Sequence, residues 1–305
     1  MDDRLPDQHA SAYLEHLGVD VRRGEVDAAA LAALTRAHVA RVPYENVDIF
    51  RGRPPGIEPL ASVERLLAGR GGYCYHLNGA LFALLRWLGI DATRHVSGVQ
   101  SHAAAAAPGP NGNHLGITAR TLDGTEWFVD VGFGDGPAAP LPLTWGEHEQ
   151  DGFTYGLRPS SLTPGGWRFE HDPRGAFVGA DFARAPATTD SFAEIHGELS
   201  TSPTSGFVRV ATVIRRVPGR VEMLRGCVSS TITPSGAESR EVESADDWWG
   251  IVVDHFGLAY GDLPADEKEC VWERVRLTHE EWSEAEERAG GADSPEALPR
   301  GAAPG

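Results

Sequence analysis

A chain of 305 residues is too long for one small core and implies two or three packed units, and its 41% hydrophobic content excludes a mainly disordered protein. Net charge is −17 and Lys268 is the one lysine among 27 basic residues, which argues against nucleic acid or an anionic membrane surface as partner. No apolar run reaches the roughly 18 residues of a bilayer span. The acidic start Met1-Asp2-Asp3-Arg4 is unlike a secretory signal, and three distant cysteines suit a reducing cytoplasm better than a disulfide framework. The expected location is cytoplasmic.

In chain order, Asp7 reads as the cap of a short helix with Ala10, Tyr13, Leu14 and Leu17 on one face and Gly18 at its end. A second helix starts near Asp27, carries Leu31, Leu34 and His38, and stops at Arg41-Val42-Pro43. His38 reads as a hydrogen-bonded core histidine. A third helix holds Leu60, Val63, Leu66 and Leu67 until Gly69 breaks it. Then comes Arg70-Gly71-Gly72-Tyr73-Cys74-Tyr75-His76-Leu77-Asn78, in which two glycines allow a bend and a helical pattern follows. Leu77, Leu81, Leu84, Leu85 and Leu88 share a face, and Gly89 is the stop. Cys74 therefore falls in the first turn of a buried helix. Unpaired N–H groups and the helix dipole favour a thiolate there, although a small apolar core residue fits the position equally well.

After Gly89 the pattern turns to strands. Residues 93–99 are β-prone, 101–113 read as a long surface loop, and 114–121 and 125–131 read as strands around Leu122-Asp123-Gly124. Short strands fill about 137–180. An antiparallel meander with a Pro218-Gly219 turn spans 206–233. Helices return at 245–256 and 279–289, the latter opening on the capping-box pattern Thr278-His279-Glu280-Glu281. From Gly290 the Gly/Ala/Pro composition predicts a disordered tail.

A thiol nucleophile needs an imidazole to take its proton and an acid to orient the imidazole. His114 and Asp130 flank the Leu122-Asp123-Gly124 turn, and parity tests them. A two-residue turn would pair Ile117 with Asp130 and send His114 to the opposite face. A three-residue loop, with Gly124 in the left-handed position of a bulged turn, pairs Thr121 with Thr125 and Gly116 with Asp130. His114 and Asp130 are then diagonal neighbours on one face. The bulged register is the prediction.

Residues 70–78 resemble the cysteine motif of the arylamine N-acetyltransferase family, with Cys74 at the nucleophile. Val42-Pro43-Tyr44-Glu45-Asn46-Val47-Asp48 is similar to that family's N-terminal segment. Asn113-His114 and Phe128-Val129-Asp130-Val131-Gly132-Phe133-Gly134 resemble its His and Asp motifs, and Thr201-Ser202-Pro203-Thr204-Ser205-Gly206-Phe207 a further segment. Four motifs in order over about residues 9–285 carry the resemblance.

The resemblance implies an α+β fold: a helical domain (1–90), a central antiparallel β-barrel (91–200) and an α/β lid (201–289), ahead of the disordered tail (290–305) that composition predicts. It implies a papain-like Cys74-His114-Asp130 triad that passes an acetyl or other acyl group from acyl-CoA to an arylamine, arylhydrazine or similar amine. It gives Tyr44, Tyr73, Phe133 and Gly134 to the acceptor pocket and Ser205 and Phe207 to the cofactor, with no metal. One position departs: the family has glutamate where this chain has His76. Losing that acid removes a dipole partner and a negative charge near the sulfur, and points to a specialised member.

The alternatives are an amide synthase that takes a polyketide from an acyl carrier protein, and a catalytically silent binding protein of the same fold. Global acidity would repel an acidic carrier. Cys227 and Cys270 lie in no motif, and Cys74 with His76 lacks a second pair at zinc spacing. Arg215, Arg216, Arg220 and Arg225 read either as a patch for pyrophosphate or a carrier surface, or as solvated strand residues.

Overall fold

The computed structural model of the protein describes residues 5–289. Helices α1 (Asp7–Leu17), α2 (Ala28–Arg41), α3 (Val47–Phe50), α4 (Pro59–Leu67) and α5 (Cys74–Trp87) build its first part, with strand β1 (Tyr44–Glu45) between α2 and α3. Pro6, not Asp7, is the N-cap of α1, because the Asp7 carboxylate is engaged elsewhere: Oδ1 accepts from Trp87 Nε1 at 2.8 Å and ties α1 to the end of α5. Asp27 does cap α2, accepting from Ala30 N at 2.8 Å. His38 is buried against the Tyr13 ring, but neither ring nitrogen has a hydrogen-bond partner. Burial, with a smaller effect from His16, pushes its pKa down to about 3, so it is a neutral core ring.

Strands β2 (Asp91–Gln100), β3 (His114–Arg120), β4 (Glu126–Val129), β5 (Leu141–Pro142), β6 (Gly146–Gln150), β7 (Phe153–Pro159), β8 (Trp167–Glu170) and β9 (Gly179–Pro186) follow. They form one antiparallel sheet in the order β5-β4-β3-β2-β9-β8-β7-β6. Gln150 bridges the two ends: Oε1 accepts from Ala139 N and Nε2 donates to Ala139 O, both at 3.0 Å. The result is a nearly closed barrel. Alternation divides its strands between two cores. Leu115, Ile117, Ala119 and Val129 pack outward among the α5 leucines. Phe128, Tyr155, Trp167, Phe169 and Phe182 fill the interior.

Helices α6 (Ala193–Thr201) and α7 (Gly206–Arg209) lead to β10 (Thr212–Val217), β11 (Arg220–Arg225), β12 (Val228–Thr233) and β13 (Gly236–Glu241). The meander thus starts at Thr212 rather than 206, since Ser205 caps a helical turn by accepting from Phe207 N at 3.2 Å. The sheet runs β1-β10-β11-β12-β13, so a strand of the N-terminal part completes it, with Tyr44 opposite Ile214. One face, with Ile214 and Val221, joins the barrel core. The other, with Val213 and Leu224, packs on Trp248, Val252 and Trp272.

Helix α8 (Ala245–Gly250) continues as a π-turn, Ile251–His255. Helix α9 (Ala265–Ala289) begins well before the expected 279. Val271, Trp272 and Val275 bury its first half in the lid core, and Pro264 precedes its start. Thr278 is therefore no cap; its hydroxyl bonds back to Arg274 O at 3.1 Å and Val275 O at 3.0 Å inside the helix. The expected tail from Gly290 lies outside the described residues. Among those described, no helix is long and apolar enough to cross a membrane.

Candidate active site

Cys74 opens α5. Tyr73 precedes it as an extended N-cap residue with no side-chain capping bond, so the positive end of the helix dipole falls on the sulfur's surroundings. Cys74 is 3% exposed, and its Sγ lies 3.8 Å from the Asn113 carbonyl oxygen. The Tyr75 hydroxyl donates to Gly112 O, fastening the end of the long 101–113 loop to the helix start. His114 follows at once in the chain.

The β3–β4 hairpin sets the rest. Ile117 pairs with Val129 and Arg120 with Glu126, which carries Gly116 opposite Asp130. Thr121 N donates to Thr125 O at 3.0 Å across a three-residue loop, and Gly124 takes the left-handed conformation at φ 85°. This is the bulged register that parity required. His114 and Asp130 share the face turned to the barrel interior, with Nε2 and Oδ2 2.7 Å apart. With Nε2–H donated to Asp130, Nδ1 is the nitrogen left to accept a proton. Burial disfavours the charged ring, but the charge and hydrogen bond of Asp130 outweigh it, with help from the Cys74 sulfur. The His114 pKa is held up at about 10.

Two residues that sequence reasoning gave no role complete the group. Asn78 lies one helical turn after Cys74 and is fully buried. Its Nδ2 donates to Asp130 Oδ1 at 3.0 Å and to Leu115 O at 2.6 Å, and its Oδ1 accepts from Val131 N at 2.9 Å. A polar residue on the apolar face of α5, four after the thiol, was the signal available. Gly132 lets the strand end approach the helix: a Cβ there would sit 2.7 Å from Asn78 Nδ2 and 2.8 Å from Cys74 Cα. Its N–H donates to Asp130 Oδ1 at 2.9 Å.

The chain matches the N-acetyltransferase family over residues 27–262. It belongs to the arylamine N-acetyltransferases. The arylamine N-acetyltransferase of Mycolicibacterium smegmatis is 31% identical over 267 residues, covering 82% of this chain and 92% of that protein. The solved enzyme of Mycobacterium abscessus is 27% identical with a TM-score of 0.77, over 88% of this chain and 94% of that one. The Mycobacterium marinum enzyme solved in complex with CoA has a TM-score of 0.79 at 24% identity, covering 88% and 99%, a likeness of fold.

In this arylamine N-acetyltransferase the other expected site residues fall in different places. Phe133 stacks face to face on His114, with centroids 4.2 Å apart and planes 5° from parallel, so it braces the imidazole. Tyr44 is half-buried on β1, and Gly134 lies against it: a Cβ on Gly134 would be 3.1 Å from Tyr44 Cβ and 3.2 Å from Ile214 Cβ. Tyr73 sits apart from them. It is fully buried, its hydroxyl hydrogen-bonds His196 Nδ1, and its ring packs on Tyr75, His76 and Phe207. Ser205 donates to Leu199 O at 2.6 Å, which spends its one donor on the fold, and Phe207 is buried beside Tyr73.

His76 is buried in the same aromatic cluster, 6.2 Å from the His196 ring, with the backbone of Pro55 and Gly56 beside its imidazole. Burial first, then the charge of Arg65 and the nearby His196, push its pKa down to about 3. A neutral ring thus stands where the family has glutamate. Among the described residues no group of three or more His, Cys, Asp or Glu side chains could hold a metal ion.

Proposed function

We propose that the enzyme transfers an acyl group from acyl-CoA to a small aromatic amine or hydrazine in two half-reactions through a Cys74 thioester. The observation that carries this reading is the buried His114–Asp130 pair, 2.7 Å apart, beside a cysteine at a helix start. The Asp130 carboxylate outweighs burial and holds the His114 pKa up, which equips the ring to keep a proton beside the sulfur.

In the first half-reaction the Cys74 thiolate adds to the thioester carbonyl of acyl-CoA. The bond from carbonyl carbon to CoA sulfur breaks, and the departing thiolate takes the proton from His114. In the second, the amine nitrogen adds to the acyl-Cys74 carbonyl, His114 removes its proton, and the Cys74 thiolate leaves. Asp130 orients the ring and offsets its charge in both. Phe133, stacked on His114, Gly134, next to it in the chain, and Tyr44, packed on Gly134, are the acceptor-side residues in this reading. The family and the CoA complex of the M. marinum relative support acyl-CoA and a small amine as substrates. A silent binding protein has no use for a buried, hydrogen-bonded His–Asp pair beside a thiol.

Incubation with acetyl-CoA followed by peptide mass spectrometry tests the thioester. An acetyl group on Cys74, absent from Cys74→Ala and formed at least ~10³-fold more slowly in His114→Ala, is the expected result. No adduct on a Cys74 that iodoacetamide still alkylates would reject acyl-CoA as the donor.

A further inference from the structure

Asp135 and His171 form a second buried pair of acid and imidazole, one that the two half-reactions do not use. Both side chains are 1% exposed, with His171 Nε2 3.3 Å from Asp135 Oδ1. The other carboxylate oxygen, Oδ2, accepts from Ala176 N at 2.7 Å. On its far side the His171 ring donates from Nδ1 to Asp172 O at 3.1 Å. A carbonyl and a carboxylate are both acceptors, so the ring serves the two together only with a proton on each nitrogen. The arrangement is that of an imidazolium facing a carboxylate. Burial pushes the Asp135 carboxyl up, but the charge of His171 beside it outweighs burial and holds it below its ordinary value. The Asp172 carboxylate binds Arg174 at 2.7 Å, and Tyr155, edge-on to the His171 ring, donates to Gly136 O at 3.2 Å.

The pair joins two segments whose strands are not neighbours in the sheet. Asp135 belongs to the turn after β4, which also carries Asp130 and Phe133. His171 opens the loop between β8 and β9, which also carries Phe177. Both segments close tightly around the contact. A Cβ on Gly175 would fall 2.0 Å from His171 Cε1 and Nδ1, so the loop wraps the ring. A Cβ on Gly136 would sit 3.0 Å from Phe133 Cβ, so the turn folds back on Phe133. Phe177 links the pair to the site, its ring centroid 4.4 Å from that of His171 and 4.7 Å from that of Phe133. Phe169 also stacks on Phe133, at 5.2 Å. Phe133 in turn lies flat on His114 at 4.2 Å, and an aromatic face at that distance favours the imidazolium over the neutral ring.

We propose that Asp135 and His171 are positioning residues: their charged pair clips the β8–β9 loop to the turn after β4 and so holds Phe133 flat on His114, where it helps keep the imidazole protonated beside Cys74. This rests on the acyl-transfer reading and adds to it two residues that act through Phe133 without touching substrate. Asp130 and Cys74 face the His114 ring directly, and the clip acts in addition to them.

The pH dependence of Cys74 alkylation by iodoacetamide, followed on the Cys74 peptide by mass spectrometry, reads the thiolate–imidazolium pair without an acyl donor. Its midpoint in the wild type is expected below the ordinary thiol value of roughly 8.5. His171→Phe keeps a buried aromatic ring but donates to neither Asp135 nor Asp172. Its midpoint should rise by about 0.5–1 pH unit, and kcat/KM with acetyl-CoA and aniline should fall about 3–10-fold at neutral pH. His171→Gln loses the ring but carries an N–H that can reach Asp135, and its midpoint should stay close to the wild type. Packing alone predicts the reverse order. A midpoint unmoved in His171→Phe, or moved as far in His171→Gln, overturns the proposal. If His171→Phe does not fold, Asp135→Asn, which keeps the shape and removes the charge, is expected to give the same rise, and an unmoved midpoint there overturns it. A wild-type midpoint at the ordinary thiol value would instead reject the Cys74–His114 reading on which the clip depends, so the two failures are told apart.

Discussion

Asn78 does for Asp130 what Asp130 does for His114. Its amide fixes one carboxylate oxygen and two backbone groups, so the other oxygen is left aimed at the ring. Asn78→Ala strands Leu115 O and Val131 N in a dry site and frees Asp130 to rotate. The expected cost is about 2–3 kcal/mol in urea denaturation. Loss of activity should be roughly 10–100-fold, because misplacement of a catalytic group by about 1 Å has effects of that size. A positioning role also predicts that the alkaline limb of the kcat/KM profile moves to lower pH as Asp130 loosens. A variant that is less stable but keeps its profile and rate would make Asn78 structural only. The roles expected of Cys74, His114 and Asp130 could be read from the sequence because that chemistry is particular to their residue types. An asparagine in a helix has too many ordinary uses, and only its spacing from Cys74 marked it.

Among the elements, the hairpin was legible in full, since side-chain parity and a glycine turn admit few registers. The lid helices were less so. Thr278-His279-Glu280-Glu281 has the composition of a helix start, but the helix was already under way, nucleated by apolar residues that pack on Trp248 and Trp249 across the lid. Local signals do not report such long-range contacts. The hairpin also yields a sharp test. Leu122 is 73% exposed at the loop tip, so deleting it removes almost no packing. It leaves a two-residue Asp123-Gly124 loop that still joins Thr121 to Thr125, so Gly116 stays opposite Asp130 and His114 keeps Asp130 on its face. The deletion variant should therefore retain most of its activity, as should Leu122→Ala. A deletion variant that keeps its far-UV circular dichroism but is inactive would mean that the bulged loop itself, and not the pairing register, holds the site.

At the scale of the whole molecule, the sequence conveyed the order of helical, barrel and lid parts but not how they close on one another. The pairing of Tyr44 with Ile214 and the two-faced lid sheet depend on contacts far apart in the chain. Burial across these parts makes the fold's histidines oppose one another in pH. His38 and His76 are pushed down to about 3 and His95 to about 4, burial being the largest cause in each. Their pKa values lie below the unfolded value of roughly 6.5, so the stability they give is complete above that pH and is lost as pH falls. Each takes up a proton on unfolding, worth up to about 1.4 kcal/mol per pH unit. His114, raised to about 10, has the opposite sign: its contribution is complete below about 6.5 and is lost as pH rises toward 10. Asp172, held down to about 2 against Arg174, loses its contribution only below roughly pH 4. Stability should therefore peak near pH 6.5, with a steep limb between pH 4.5 and 6.5 that belongs to the buried histidines. Urea midpoints measured from pH 4.5 to 10 check this. His38→Leu should reduce the acid slope by one proton's worth, and His114→Ala should flatten the alkaline limb. An acid limb of equal slope in His38→Leu would mean that His38 already takes up its proton in the folded state.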